Sequence, residues 1–327
     1  MNGNDEQRHR YLPDACAGKI IGGMCMSEPA AGTDVLGMKT TAKEEPDGSF
    51  LLNGTKMWIT NGAISDTEQG DVFLVYARTG EGTGGVSLFL LEKGTPGFSV
   101  GQRIKDKCGM RASGTAELVF ENVRVPAHNL VGQKGGAVTC MMRNLEIERL
   151  ALAAMSTGIA RRCVEVMNRY GQDREAFGHS INHFGQVQDH IATSYAEYMA
   201  AKCYVYNTAN MLELDATGSY RVDSDGVKLV CSKMATTVAN RAMQVLGGYG
   251  YVGEYQVERP SSLRFSPILR LSSSLASALL SSRHASDLLL YQVERLWRDA
   301  KLIEIGGGTL EAHQKNMTRD LSRLETL

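Results

Sequence analysis

Hydrophobic positions along the chain change their period once. Between residue 50 and about residue 126 they fall in short runs: "SFLLNG", "KMWIT", "DVFLVYAR", "VSLFLLEK", "GFSVGQRI" and "AELVFENVRV". These runs are rich in β-branched and aromatic side chains and are separated by Gly, Asn or Pro, the pattern of strands joined by turns. They predict a small antiparallel β domain. From about residue 135 the period becomes helical, and the stretches 137–169, 184–214 and 223–246 are long and mostly free of Pro and Gly. A block of strands followed by a block of helices, without βαβ alternation, places β and α in separate domains of an α+β chain.

The first long helix carries the most informative position. Its apolar stripe reads Met141, Leu145, Leu152, Met155, Ile159, Cys163 and Val166, in steps of three and four apart from one gap. The stripe position inside that gap is Glu148. A carboxylate there costs free energy unless it is paired or protonated. Desolvation would raise its pKa towards neutrality, which suits a general base. Two readings stay open: a base, or a buried partner of Arg149 or Arg143. Glu146 falls off the stripe and reads as a solvated or paired charge.

Composition narrows the class. A length of 327 residues allows roughly two to three domains. A net charge of −1 offers no electrostatic footprint for nucleic acid or an anionic membrane, and no apolar run is long enough for a membrane span. The opening "MNGNDEQRHRYLPDACAGK" has neither a signal-peptide core nor transit-peptide character. Seven cysteines without a CxxC pair read as buried, reduced thiols of an intracellular protein. The histidines lack metal-site spacing, so no metal is expected.

Several loops could touch a ligand. "MCMSEPAAGTD" offers hydroxyls and backbone amides near Ala31, Gly32 and Thr33, or is an ordinary Pro/Gly turn. "KMWITNG" puts Trp58 and Thr60 two apart on one strand face, as a stacking plane with a hydroxyl or as simple packing. Arg174, beside a Gly-containing turn, suits phosphate or a surface ion pair. "QVLGGYGYVGE" follows a helix, not a strand, so it is no Rossmann fingerprint. No Lys-Ser/Thr follows the triple glycine at 306–308, so it is no phosphate loop. The string "YQVER" occurs at 255–259 and again at 291–295, around a Ser/Leu-biased run that reads as an amphipathic or disordered loop, or as an insertion or translated intron.

Taken together and in order, these segments resemble the acyl-CoA dehydrogenase family. "MSEPAAGTD" and "WITNG" look like its two flavin motifs, "REAFG" and "QVLGGYGY" like elements that reach a flavin from a neighbouring subunit, "CGMRASGTAELVFENVRVP" like the exit of its β domain, and "RDAKLIEIGGGTLE" like its active-site loop. The resemblance implies an antiparallel, β-barrel-like middle domain (21–130) followed by a C-terminal four-helix bundle (131–327, with the insert at 260–290). Residues 1–20 would be the remnant of an N-terminal helical domain that is largely missing.

Many members carry their base just before the Gly-Thr pair, where this chain has Gly307. The branches acting on isovaleryl-like, branched acyl groups and on long-chain ones carry it on the helix in a Glu-Arg-Leu context, and here "EIERL" selects Glu148. The resemblance therefore implies FAD-dependent α,β-dehydrogenation of a short or branched acyl-CoA, as in leucine catabolism, with hydride passing to flavin N5. It implies FAD contacts from Met24, Met26, Ser27, Gly32, Thr33, Trp58, Ile59, Thr60, Thr309 and Glu311. Arg174, Gln244, Val245, Leu246, Gly247 and Gly248 would reach FAD across a homotetramer interface. Thr33, Thr139, Glu146, Arg149, Gly307 and Gly308 would line the substrate, with Gly306 and Gly307 leaving room for a branched acyl group. Electron-transfer flavoprotein would be the partner, and the mitochondrial matrix (or a bacterial cytoplasm) the location. A catalytically inactive truncated or mis-spliced relative is the alternative expectation.

Overall fold

The computed structural model describes residues 2–65, 68–213, 221–252 and 293–323. The run at 260–290 and the first "YQVER" lie outside the described residues. Two compact units emerge, one built on Met1–Leu145 and the other on Glu146–Leu214 and Gly218–Leu327.

The first unit opens with α1 (Asp5–Cys16). Its cap residue Asn4 accepts from the Gln7 amide while the Gln7 side chain accepts from the Asn4 amide, a reciprocal capping box. Gln7 also donates to the carbonyls of His128 and Leu130, which fastens α1 to the sheet. The strands are β1 (Gly22–Cys25), β2 (Thr41–Glu44), β3 (Phe50–Thr60), β4 (Val72–Arg78), β5 (Val86–Glu92), β6 (Phe98–Arg103), β7 (Thr115–Val125) and β8 (Leu130–Val131).

All six apolar runs are strands or parts of strands. They form one eight-stranded sheet in the order β6-β7-β3-β2-β4-β5-β8, with β1 added on β4. The sheet is mixed, not purely antiparallel as expected: β1 runs parallel to β4, and β2 meets β4 parallel at Thr41–Arg78. Turn residues announce only hairpin neighbours, which are antiparallel; these pairs join strands distant in the chain. The core is aromatic, with Phe98 stacked on Phe120 and edge-on to Phe73.

One polar pair is sealed inside this unit. Lys56 is fully buried and Glu28 is 4% exposed. Lys56 Nζ lies 2.9 Å from Glu28 Oε1 and donates to the Met26 carbonyl at 3.0 Å. Glu28 also accepts from the amides of Lys39 and Thr40. Burial works to raise the Glu28 carboxyl, but these hydrogen bonds and the Lys56 charge hold it below the usual range.

The second unit holds most of α2 (Ala137–Asp173), with α3 (Gly185–Met211), α4 (Arg221–Leu246), the single turn α5 (Gly248–Tyr251), α6 (Val293–Ile305) and α7 (Leu310–Leu321). A two-stranded ribbon, β9 (Glu175–Ala176) with β10 (His179–Ser180), follows α2. Residues of α2, α3, α4 and α6 share one core.

The buried face of α2 keeps Met141, Cys163 and Val166 of the expected stripe but differs from it between 145 and 160. It runs Glu146, Arg149, Ala153, Ser156, Ala160, Cys163 and Met167, again in steps of three and four, while Met155 is 47% exposed. Small residues on this face let neighbouring helices approach, so Leu145, Leu152, Met155 and Ile159 of the expected stripe stand on its flank. Glu146, expected off the stripe as a solvated or paired charge, is buried. The thiols differ too: Cys25, Cys163 and Cys231 are buried and free, but Cys16, Cys108 and Cys203 are exposed. Among the described residues no helix is long and apolar enough to cross a membrane.

Removing Lys56 while Glu28 remains strands a carboxylate in the sheet interior. Lys56→Met should destabilise the chain by about 3–5 kcal/mol in urea unfolding, and adding Glu28→Gln should recover part of the loss.

Candidate active site

In the first unit the two loop motifs are stitched together. Met57 N donates to Ser27 O at 2.9 Å, Lys56 holds the Met26 carbonyl, and Asn61 Nδ2 donates to Gly22 O at 2.8 Å. The segment around Met24, Met26 and Ser27 therefore lies along β3 beside Trp58, Ile59 and Thr60. β3 bulges between Lys56 and Ile59, and Trp58 sits at φ 60°, a left-handed conformation rare for an aromatic residue.

This bulge leaves Trp58 55% exposed beside exposed Thr60, with Ile59 buried between them. Gly32 and Thr33 are also exposed. Met26 and Ile59 are buried in the core, so only their backbones are offered to a ligand. Thr139 is exposed near the start of α2.

The second unit gathers Glu148, Arg149, Gly307, Gly308 and Thr309. Thr309 caps α7, its hydroxyl accepting from Ala312 N at 3.3 Å, and Glu311 in the first turn complements the helix dipole. Gly307 (φ 67°) and Gly308 (φ 108°) form the turn between α6 and α7. A Cβ on Gly307 would stand 2.6 Å from Leu152 Cδ1 and 3.5 Å from Glu148 Oε1. A side chain at 307 would thus crowd the end of Leu152, and the positive φ there favours glycine as well.

Glu148 borders this turn. Its Oε2 is buried without a hydrogen-bond partner among the described residues. Burial raises its carboxyl above the usual range, against the pull of the Arg149 and Lys228 charges. That combination keeps a carboxylate unsatisfied and available for a proton.

Sequence reasoning named Arg149 but missed Lys228, Asp225 and His313, which hold the turn with it. Arg149 Nε donates to Gly307 O at 3.3 Å, and Lys228 Nζ donates to Gly308 O at 2.5 Å. Burial and the Arg149 charge push Lys228 down to about 8, against Asp225, Glu304 and Glu148. Asp225 and His313 are fully buried beside them. The signal was present: Asp225, Lys228, Ser232 and Ala235 repeat on α4 at helical spacing.

Elsewhere in this unit Arg174 lies over the Tyr249 ring at 5.9 Å, which brings it to the turn at Gly247 and Gly248. Gln244 precedes that turn, while Val245 and Leu246 point into the core and offer no side chain. Among the described residues no cluster of His, Cys, Asp and Glu could hold a metal ion.

This arrangement has known counterparts. The family model of the acyl-CoA dehydrogenase middle domain matches residues 23–123, and that of the acyl-CoA dehydrogenase C-terminal domain matches residues 135–270. The chain belongs to the acyl-CoA dehydrogenase family.

Among relatives of this acyl-CoA dehydrogenase is the mitochondrial isovaleryl-CoA dehydrogenase of Oryza sativa, 38% identical over 99% of this chain and 69% of the relative. The short-chain acyl-CoA dehydrogenase of Clostridium acetobutylicum is 37% identical over 79% of this chain and 66% of the relative. Butyryl-CoA dehydrogenase from Megasphaera elsdenii superimposes with a TM-score of 0.81 at 31% identity, over 98% of this chain and 73% of that one. The chain is accordingly an oxidoreductase of acyl-CoA substrates.

Two outcomes follow from the geometry. Gly307→Ala should cost about 2 kcal/mol in denaturant unfolding, through overpacking on Leu152 and the positive φ. Glu148→Gln should stabilise the chain at pH 8 but not at pH 4. A carboxyl whose folded pKa is raised has no cost while both states are protonated; the cost develops as pH rises above the unfolded value. Thermal melts at the two pH values measure the difference.

Proposed function

We propose that this acyl-CoA dehydrogenase oxidises a short or branched-chain acyl-CoA, isovaleryl-CoA-like, to its α,β-unsaturated thioester, with Glu148 as the base. The observation that carries the assignment is the Glu148 carboxyl: raised, lacking a partner on Oε2, and set against the glycine turn. Glu148 takes the α-proton onto a carboxylate oxygen as the α-carbon–hydrogen bond breaks. The nearby cations Arg149 and Lys228 oppose the rise that burial causes. The relatives that act on isovaleryl-CoA by name support a branched substrate as in leucine catabolism, and those named short-chain support a small one.

The residues of the first unit fit a flat, hydrogen-bonding cofactor. An exposed indole held by a strained backbone, the Thr60 hydroxyl and the exposed Gly32 and Thr33 offer a stacking plane with polar edges. We assign FAD to Met24, Met26, Ser27, Gly32, Thr33, Trp58, Ile59 and Thr60, with backbone contacts where the side chain is buried, and to Thr309 and Glu311. Arg174, Gln244, Val245, Leu246, Gly247 and Gly248 would reach the FAD of a neighbouring subunit in a homotetramer. Thr33, Thr139, Glu146, Arg149, Gly307 and Gly308 are assigned to the acyl-CoA. Bound FAD supplies a hydride acceptor at N5 for the β-hydrogen, and the protein supplies alignment. Electron-transfer flavoprotein is the proposed acceptor of the electrons. The mitochondrial relatives support the mitochondrial matrix, with the cytoplasm as the bacterial equivalent.

Purified chain loaded with FAD should reduce electron-transfer flavoprotein in the presence of isovaleryl-CoA. Glu148→Gln should retain the yellow colour and lose about 10²–10⁴-fold in kcat; undiminished turnover would refute the base.

A further inference from the structure

The glycine turn beside Glu148 is held by a ring of polar contacts that closes on one buried carboxylate. Asp225 is fully buried on α4. Its Oδ1 lies 2.8 Å from Arg149 Nη1 of α2 and 2.6 Å from His313 Nδ1 of α7. Arg149 reaches on to the Gly307 carbonyl at 3.3 Å, and His313 Nε2 reaches the Gly308 carbonyl at 3.0 Å. Two consecutive carbonyls of the turn are thus tied, through two side chains, to a single oxygen.

We propose that Asp225, acting through His313 and Arg149, is a positioning residue that fixes the peptide planes of the Gly307–Gly308 turn against the Glu148 carboxyl. Three features require such a device. The first is intrinsic looseness: consecutive glycines accept many conformations at similar energy, so the backbone does not select this one. The second is the small tolerance beside Glu148, where the Gly307 Cα already sits so close that a methyl group would meet Leu152 at 2.6 Å. The third is chemical. Proton transfer depends on alignment, and a misplacement of about 1 Å costs on the order of 10²-fold in rate.

Asp225 suits the task because it cannot be traded for water. It is fully buried, and Oδ2 has no hydrogen-bond partner among the described residues. Its attraction therefore falls on the two cation-capable side chains that share Oδ1. Lys228 donates to the same Gly308 carbonyl from the same helix, one turn further along. It adds a second hold on Gly308 but none on Gly307, so it cannot replace the ring.

This inference rests on the reading of Glu148 as base, yet its test separates the two. Amide hydrogen exchange of the turn and the first turn of α7 (307–313) would be measured on the full chain, with kcat and KM for isovaleryl-CoA. Asp225→Asn keeps the shape and removes the charge; His313→Leu removes the ring's second link at similar volume. Each should speed exchange of 307–313 by about tenfold or more, with the β-sheet amides unchanged. Each should also lower kcat by about tenfold or more with KM changed less than about threefold. The double variant should be no faster in exchange than Asp225→Asn alone, because both changes open one ring.

Wild-type exchange at 307–313 in a folded Asp225→Asn or His313→Leu, or additive effects in the double variant, would overturn the proposal. So would an unchanged kcat with a loosened turn. Should Asp225→Asn fail to fold, His313→Leu decides alone by the same exchange and kcat criteria. Glu148→Gln should leave exchange at 307–313 as in wild type. If that variant keeps its turnover, the base assignment falls while the exchange result still decides the role of Asp225.

Discussion

A carboxylate removed from water must be met by donors or give up its charge, and the loops of this chain are shaped by how each buried carboxylate meets that demand. In the β unit, Glu28 meets it completely. Two backbone amides and an ammonium surround it, and those amides belong to the chain just before β2. The segment carrying Met26 and Ser27 is therefore pinned to the sheet beside the exposed Trp58. In the helical unit, Asp225 meets the demand with one oxygen only, and Glu148 meets it least of all.

That gradation separates structural from chemical carboxylates more sharply than burial does. Glu146 is more buried than Glu148, yet it is Glu148 that keeps a buried oxygen without a hydrogen bond. A buried acid satisfied by fixed donors is locked in its charged form and inert. One left partly unsatisfied, with cations near enough to permit ionisation, can change its protonation state at modest cost.

Much of this was legible in the sequence, and the parts that were not share a cause. The strands between Phe50 and Val125 and the long helices declare themselves because period and turn residues are local signals. The parallel pairing of β1 on β4 does not, because it depends on which strands meet after long excursions of chain. Between Leu145 and Ile159 the α2 stripe was read one position off, because hydrophobicity weights Leu and Met above Ala and Ser, whereas close helix packing favours the small residues. Glu148 was reached through that shifted stripe and through the Glu-Arg-Leu context, and its environment is set by the adjacent Arg149 together with Lys228 of α4 and the turn at Gly307, the last two outside any local window. Likewise, Gly307 was read as an absence; its contact with Leu152 is visible only once α2 and the turn are side by side.

The turn between α6 and α7 is also the start of a helix. Thr309 ends the glycine run and caps α7, and His313 stands one turn into that helix while holding Gly308. Movement of the wall beside Glu148 is consequently coupled to fraying of α7, because the same residues close the wall and nucleate the helix. A loop built from three glycines would otherwise sample its conformations freely on fast timescales. Here its openings become rare, cooperative events, with a frequency set by helix stability and not by the flexibility of glycine.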